Sequence, residues 1–447
     1  SSAASDVYKR QPLAIGGLFQ QLYSFVDSVV VGRGIGAQAL AAVGATSIVV
    51  WLTLGFAMGL TRGFCIHISQ AYGKKDYHLV NRGFFVASVL SLIVGAMISI
   101  VGSLAIRDFL ILMHTPGEIL EQSLDYIKVI LLGFVITVLN NLFMSVLQSL
   151  GDSSTPFWAL LVSSVTNIGL DCVFVLTLKW GVQGAAAATV LSQVFSFAIC
   201  AAGLKRLKFV SILDGSKSKN ARLTVRMLKT GLPVGIMSMV TAVGGMILQF
   251  FVNDLGASAV AAYAASTKIR SVIGEFSNAL GMTFMTFVGQ NYGAQKYDRI
   301  KAGVRMGVLL SILIHIPLSA VEIFVGKRIA SLMVTDPPVL ELCRQYLLIV
   351  GIFVFFLGFL MVFRNCIQGM GNTWIPMLSG GLEVFSRLIF GYWLGRHSFM
   401  GIAAAEASAW ISVSIMLGSS FFILFRKVLR TQTPEDTTDT KNIRTVS

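Results

Sequence analysis

Long apolar stretches separated by short polar loops recur along the whole chain. Each stretch is long enough to cross a hydrocarbon core about 30 Å thick as a helix. Strands of a membrane barrel would be about ten residues long with strict alternation, which these stretches lack. The pattern predicts an all-α integral membrane protein with twelve transmembrane spans, at approximately 12–32, 39–64, 84–106, 124–147, 157–178, 181–204, 232–254, 258–288, 304–326, 342–366, 376–395 and 401–425.

The second half of the chain repeats the first at a constant offset of 220 residues. The segment QAYGKKDY at 70–77 returns as QNYGAQKY at 290–297. Three more residues recur with the same offset: Gln148, Gly151 and Pro156 return as Gln368, Gly371 and Pro376. Six spans in each half predict two six-helix bundles related as parallel repeats. We expect the two QxYGxxxY segments to form short cytoplasmic helices that cap the bundles.

Lys and Arg concentrate in the loops on one side of the predicted membrane, with eight of them between Lys205 and Lys229. That side is expected to be cytoplasmic, with both termini there. The protein is therefore predicted to be a multi-pass protein of the cell (inner or plasma) membrane. The predicted parts are a polar leader or scar (1–11), an N-terminal bundle (12–204), a basic cytoplasmic linker (205–231), a C-terminal bundle (232–425) and a polar cytoplasmic tail (426–447).

Composition agrees with a membrane protein: 55% of the residues are hydrophobic and 13% are charged, about half the charged fraction of a soluble domain. The net charge of +14 therefore indicates topology and anionic lipid rather than a nucleic-acid partner. The five cysteines form no CxxC pair, so neither a disulfide framework nor a zinc site is indicated. The chain contains no GxxxxGK[ST] phosphate loop and no nucleophile with an oriented base, so we expect no ATP hydrolysis, no enzymatic activity and no cofactor.

Polar residues inside the predicted spans are the candidate functional groups. Asp27 lies in span one, and Asn167 and Asp171 lie four residues apart on one face of span five. A charge at mid-bilayer depth costs about 3 kcal/mol or more, and such residues usually mark ion or substrate pathways. With Thr189 of span six, these oxygens form a candidate site for Na⁺ or H⁺; the alternative is that each is a hydrogen-bonded packing group. Two residues on the Asp27 face of span one are candidates for the adjoining cavity: Gln20 and Tyr23.

The second half does not repeat this set of residues, because Ile247 and Gly391 stand at the positions equivalent to Asp27 and Asp171. It carries Glu275, seven residues after Lys268, and Glu383, four residues before Arg387. These residues are interpreted either as ion pairs or as the lining of a substrate cavity. Asn140 of span four is a further cavity candidate.

Several motifs in combination resemble the multidrug and toxic compound extrusion (MATE) family of secondary transporters. They are FVDSVVVGRGIGAQALAAVG at 25–44, SQAYGKKD at 69–76, LQSLGDSSTP at 147–156, NIGLD at 167–171, VGQNYGA at 288–294 and IQGMGNT at 367–373. The resemblance covers residues 12–425 and implies twelve helices in two bundles around a V-shaped cleft. It also implies antiport of organic cations against Na⁺ or H⁺.

The resemblance places the coupling ion on four residues of the first half: Asp27, Asn167, Asp171 and Thr189. Some family members also use carboxylates in helices seven and ten, which this chain lacks at the centres of those spans. We expect a monomer in the lipid bilayer with small organic cations as substrates. The main alternative is a flippase for lipid-linked precursors from the same superfamily, which would be expected to have a more cationic cavity. A receptor or channel without coupled transport is a further alternative.

Overall fold

The structure, a computed structural model, describes residues 26–113, 115–211, 214–215 and 220–430. Helix α1 is described from residue 26 and ends at residue 34. The rest of the first half consists of α2 (Ala37–Gly73), α3 (Tyr77–Leu112), α4 (Gly117–Leu132), α5 (Phe134–Ser149), α6 (Ser154–Asp171), a π-helical segment π1 (Cys172–Thr177) and α7 (Gly181–Arg206). The described ranges contain no β-strand, which agrees with the predicted all-α class.

The second half has a closely similar order of elements. They are α8 (Ala221–Asp254), α9 (Ala257–Gly293), α10 (Tyr297–Ala320), π2 (Val321–Val325), α11 (Gly326–Ala330), α12 (Pro337–Gly369), α13 (Trp374–Phe390), π3 (Gly391–Gly395) and α14 (Phe399–Arg430). The helices α2 and α9 begin and end at positions that differ by 220 residues, as the repeat predicts. The backbone repeats as well, since Gly151 and Gly371 have φ angles of +96° and +93°.

Eight helices in the described ranges are long and apolar enough to cross a membrane, and the α4–α5 pair, bent by 47°, counts as a ninth if it forms one broken span. Two predicted spans within the described ranges are not among these nine: span eight, which corresponds to α9, and span eleven, which corresponds to α13 with π3. Both carry buried or partly buried charges near their centres, which lowers their mean hydropathy. The first predicted span falls mainly outside the described residues. The fold is thus consistent with the predicted twelve-helix architecture.

The helices extend beyond the apolar stretches that predict them. Helix α8 begins at Ala221, so the predicted linker 205–231 is helical over its last part. Leu223 and Met227 of this extension are buried in the apolar core of the first bundle. Helix α14 likewise continues to Arg430. The apolar stretch ends at the edge of the membrane's hydrocarbon core, whereas a helix continues as long as its backbone hydrogen bonds can form.

The expectation of separate capping helices at the QxYGxxxY segments is wrong. Gln70 to Gly73 form the last turn of α2, and Gln290 to Gly293 form the last turn of α9. Each helix is followed by a tight turn in which Lys75 or Gln295 adopts a positive φ angle, and the next helix begins at the second Tyr of the motif. The polar composition of the motif reflects this turn between two long helices.

The two bundles touch at this end of the molecule. A Cβ added to Gly73 would overlap the carbonyl oxygen of Gln290, and a Cβ added to Gly293 would overlap the carbonyl oxygen of Gln70. Further along α2, a Cβ at Gly63 would lie 2.5 Å from the Cα of Gly231 in α8. Small residues therefore allow the helix backbones of opposite bundles to pack directly against each other.

Candidate ion-binding site

Asp171 is the last residue of α6, immediately before the π-helical segment π1. Its side chain is fully buried, and neither carboxylate oxygen receives a hydrogen bond from a donor among the described residues. π-Helical turns often occur at functional sites, where they change the direction of side chains within a helix. A buried carboxylate without donors is unfavourable as an anion, so this position is suited to binding a proton or a cation.

Asp27 lies on α1 and meets Asp171 directly. The two carboxyl groups are close enough to interact, and a proton on one of them could be shared with the other. Asp27 is partly buried, and its Oδ1 atom has no hydrogen-bond donor in the described part of the chain. Because two ionised carboxylates repel each other, a proton or another cation bound by the pair would stabilise it.

Asn167, one turn before Asp171 on α6, is also buried, and both its amide oxygen and its amide nitrogen lack partners in the described ranges. Buried amides are normally hydrogen-bonded, so the amide of Asn167 is an exception in the described part of the chain. Thr189 is partly buried on α7, and its hydroxyl donates to the carbonyl of Ala185 at 3.1 Å, which leaves its oxygen available as an acceptor.

Further polar residues lie in the first-half spans. Asn140 on α5 is buried, and its amide oxygen has no donor among the described residues. Gln20 and Tyr23 fall outside the described residues. Gln193, one turn after Thr189 on α7, was not predicted, and its amide oxygen also has no donor within the described ranges. A polar residue four positions after Thr189 in an apolar span was the sequence signal for it.

The candidate residues offer carboxylate, amide and hydroxyl oxygens. Oxygen donors of this kind suit hard cations. The described residues contain no group of three or more His, Cys, Asp or Glu side chains placed to hold a metal ion. The oxygens of the candidate residues could accept a proton or a monovalent cation.

The second bundle contains a chain of buried ion pairs instead. Glu383 of α13 binds Arg364 of α12 and Arg387 of its own helix, each at 3.0 Å. The predicted Glu383–Arg387 pair is therefore present, and Arg364 was missed. All three side chains are 5–7% exposed, so each charge depends on the others for its stability.

Glu406 of α14 continues this chain. It binds Arg270 of α9 at 2.6 Å and lies 3.7 Å from Arg387. It also accepts a hydrogen bond from the hydroxyl of Tyr346. Arg270 in turn lies over the ring of Trp410, with 5.9 Å between the guanidinium carbon and the ring centroid.

The remaining second-half candidate, Glu275 of α9, is partly buried and interacts electrostatically with Arg62 of α2. This attraction acts between the two bundles, and the pairing of Glu275 with Lys268 that the heptad spacing suggests stays a prediction. Two surface cavities of about 400 and 410 Å³ lie along the outer face of α8 and share Val225 and Lys229. Neither cavity includes a residue of the candidate site.

The sequence is similar to a known protein family and to several of its members. The sequence profile of the MatE family matches residues 12–173 and again residues 233–393, one match in each repeat. The probable multidrug resistance protein YoeA of Bacillus subtilis (strain 168) is 27% identical over 414 residues, which cover 88% of this chain and 89% of that protein. The FAD transporter of Shewanella oneidensis is 25% identical over 362 residues, with 77% of each chain covered.

A solved structure shows the same fold. It is described as the outward-facing conformation of a multidrug resistance MATE family transporter of the MOP superfamily. It superposes with a TM-score of 0.89 and 23% sequence identity, and the match covers 96% of this chain and 97% of that chain. Since the family profile covers well over half of the sequence, the chain belongs to the MatE family, whose members are multi-pass membrane transporters of small molecules and not enzymes.

Proposed function

We propose that this protein exports organic cations, including drugs, in exchange for H⁺ or Na⁺, and that Asp27 and Asp171 bind the coupling ion. The observation that carries the proposal is the direct approach of these two carboxyl groups in a buried setting without other donors among the described residues. Asn167 and Thr189 supply further oxygen ligands from α6 and α7. The relatives named as multidrug resistance proteins support drugs as the cargo.

The coupling follows from the charge of this pair. With a bound proton or Na⁺ the two carboxyl groups can stay in contact, which holds α1 against the end of α6. Without it they repel, and α1 is free to move away from α6. An ion that binds one arrangement better than the other shifts the population of the two states by that difference in affinity.

The contact between the bundles supports an outward-open state. The contact glycines Gly73 and Gly293 lie next to the basic turns that the positive-inside rule places in the cytoplasm. In the proposed cycle this end opens while the coupling ion is bound, the ion leaves to the cytoplasm, and a new substrate enters from the same side. We place the protein as a monomer in the plasma membrane with both termini inside the cell.

The arginines of the second bundle's ion-pair network are paired with carboxylates and are not free to bind an anionic cargo. A flippase for lipid pyrophosphates, or a carrier of an anionic cofactor such as the relative named as an FAD transporter, needs cations that are free to bind the substrate. Here Arg364 and Arg387 are bound to Glu383, and Arg270 is bound to Glu406. This pairing leaves no guanidinium of the network without an acidic partner.

The gradient sets a limit on the work that can be done. A one-to-one exchange of H⁺ for a monovalent cation moves no net charge, so only the concentration gradients contribute. One unit of pH supplies about 1.4 kcal/mol, which supports about tenfold accumulation of the substrate.

The test is export of a fluorescent organic cation from proteoliposomes with separately imposed pH and Na⁺ gradients. We expect Asp27→Asn and Asp171→Asn each to lose gradient-driven export at least tenfold. Asp125→Asn, an exposed carboxylate on α4, is the matched control and is expected to export like the wild type. Undiminished export by the Asp27→Asn/Asp171→Asn double variant would refute the assignment, and gradient-driven movement of a lipid pyrophosphate instead of the dye would favour the flippase.

A further inference from the structure

Glu322 is a second buried carboxylate that the proposed coupling site does not use. It lies in the π-helical segment π2 between α10 and α11 and is 1% exposed. Both of its carboxylate oxygens are buried without a hydrogen-bond donor in the described part of the chain. A carboxylate in this setting is strongly disfavoured as an anion and is stable as the neutral acid.

The local backbone departs from the internal repeat at this position. The first-half equivalent of Glu322 is Gly102, which lies within the uninterrupted helix α3. In the second half, Pro317 precedes Glu322 inside α10 and the helix continues with π-helical geometry. Proline removes one backbone hydrogen bond, and π-helical turns are frequently found at functional sites. The irregularity is therefore specific to the half that carries the carboxylate.

Glu322 packs against α12 at a glycine. A Cβ at Gly351 would lie 3.2 Å from the Cβ of Glu322 and 3.5 Å from its Oε2 atom. One turn earlier, the hydroxyl of Ser319 donates to the carbonyl of Gly351 at 2.7 Å. Because Gly351 has no side chain, α12 leaves room for the carboxyl group of Glu322. The carbonyl of Gly351 also holds the end of α10 through Ser319.

The charged groups that face Glu322 are Arg270 of α9 and Glu406 of α14. Tyr263 and Tyr346 join this group through their interaction with Arg270. On its own helix, His315 is bonded to Ser277 and to the backbone of Ser311, and Lys327 is paired with Glu341. Arg270 is therefore the cation that an ionised Glu322 would meet.

The charge balance of the network supports a switch. Three arginines, Arg270, Arg364 and Arg387, face two glutamates, Glu383 and Glu406. The network carries one excess positive charge when Glu322 is neutral and is balanced when Glu322 is ionised. A displacement of π2 that brings Glu322 to Arg270 would exchange the bound proton for an ion pair.

We propose that Glu322 is a second proton-binding site, which takes up H⁺ from water in the outward-open state and releases it to water when π2 moves towards Arg270. This inference extends the proposed function, because it adds a proton to the transport cycle in the bundle that lacks the Asp27–Asp171 pair. The proton moves onto a carboxylate oxygen and leaves from it, and no other bond changes.

The experiment records the infrared absorption of protonated carboxyl groups in the purified full-length protein during a pH titration. It is carried out in the Asp27→Asn/Asp171→Asn background, so that the first site contributes nothing. At pH values above the range in which exposed carboxylates titrate, we expect one titrating carboxyl component, which Glu322→Gln abolishes, Glu322→Asp shifts in frequency and Glu341→Gln leaves unchanged. Glu341 is a suitable control because it is an exposed member of an ion pair at the start of α12.

The absence of a component that responds to Glu322→Asp, or a component that stays constant at every pH, would overturn the proposal. Because the absorption is measured without transport, it tests Glu322 even if the exporter assignment fails. A transport assay in the otherwise wild-type protein then tests whether this proton contributes to export. We expect Glu322→Gln to lose at least tenfold of the export driven by a pH gradient while substrate-for-substrate exchange is kept.

Discussion

Gln70 and Gln290 donate hydrogen bonds in opposite directions across the boundary between the two bundles. The amide nitrogen of Gln70 donates to the carbonyl of Gly369 at 2.9 Å, and that of Gln290 donates to the carbonyl of Ser149 at 2.8 Å. Donors and acceptors are both related by the 220-residue repeat, so the two bonds are equivalent under the pseudo-symmetry of the molecule. They occupy the last turns of α2 and α9, where Gly73 and Gly293 bring the bundles together.

Removal of these two bonds is expected to open the contact between the bundles. One hydrogen bond contributes about 1 kcal/mol, so Gln70→Ala or Gln290→Ala alone shifts the balance of states by about fivefold and the double variant by about thirtyfold. Spin labels at Lys74 and Lys296, which are exposed in the adjacent turns, report the separation of the bundles. The exposed Gln295, changed to Ala, serves as the control. A distance distribution in the double variant that matches the wild type would show that the bonds do not hold this end closed.

A methyl group at Gly73 or Gly293 is expected to have a larger effect. The added Cβ meets a backbone carbonyl of the other bundle, and backbone cannot yield as a side-chain end can. Overpacking of this kind costs about 1–3 kcal/mol and acts only on the state in which the bundles touch. The same spin labels are expected to show a longer separation for Gly73→Ala and Gly293→Ala.

Gly274→Ala is the matched control for Gly293→Ala on the same helix. Nothing lies within 4 Å of the position that its Cβ would take. Alanine in a helix is favoured over glycine by about 0.5–1 kcal/mol, so this variant is expected to raise the Tm slightly and leave the label distances unchanged. Equal behaviour of Gly274→Ala and Gly293→Ala would mean that the close approach has no energetic consequence.

Much of the architecture was predictable because it depends on local and periodic patterns. The apolar stretches predict the spans, and the constant offset predicts that α2 and α9 correspond. The ends of the helices were less predictable, since the QxYG residues are polar but remain helical to Gly73 and Gly293. Hydropathy reports the position of the membrane, whereas the end of a helix depends on the turn that follows it.

The site of the first bundle was more accessible to sequence reasoning than the network of the second. Asp27 and Asp171 stand out because isolated carboxylates in apolar spans are rare. Glu383 and Arg387 share a helix face, so their pairing could be read from spacing. The contact of Arg270 with Glu406 joins residues far apart in the chain, and Glu322 is recognised only when the absence of a donor among the described residues is known.

Replacement of Asn167 is expected to stabilise the protein and impair its function. Asn167 is buried, and neither polar atom of its amide has a partner among the described residues. Loss of such an unsatisfied group is expected to be worth about 1–3 kcal/mol. We expect Asn167→Leu to raise the Tm of the detergent-solubilised protein while its gradient-driven export falls.

Asn291 provides the contrasting case for this experiment. It is equally buried, but its amide nitrogen donates to the carbonyl of Phe287 at 2.8 Å. Asn291→Leu removes a satisfied hydrogen bond and is expected to lower the Tm. A lower Tm for Asn167→Leu as well would indicate that Asn167 is a structural residue and not an ion ligand.

Glu383→Gln is expected to be among the most destabilising substitutions in the second bundle. It leaves Arg364 and Arg387 buried with less compensating charge, and removal of one partner of a buried pair costs about 3–5 kcal/mol. The double variant Arg364→Gln/Glu383→Gln restores the balance of charge and is expected to recover part of the Tm. Glu341→Gln breaks an exposed pair with Arg344 and is expected to leave the Tm unchanged. Equal losses for Arg364→Gln/Glu383→Gln and Glu383→Gln would mean that shape, and not charge, holds these helices together.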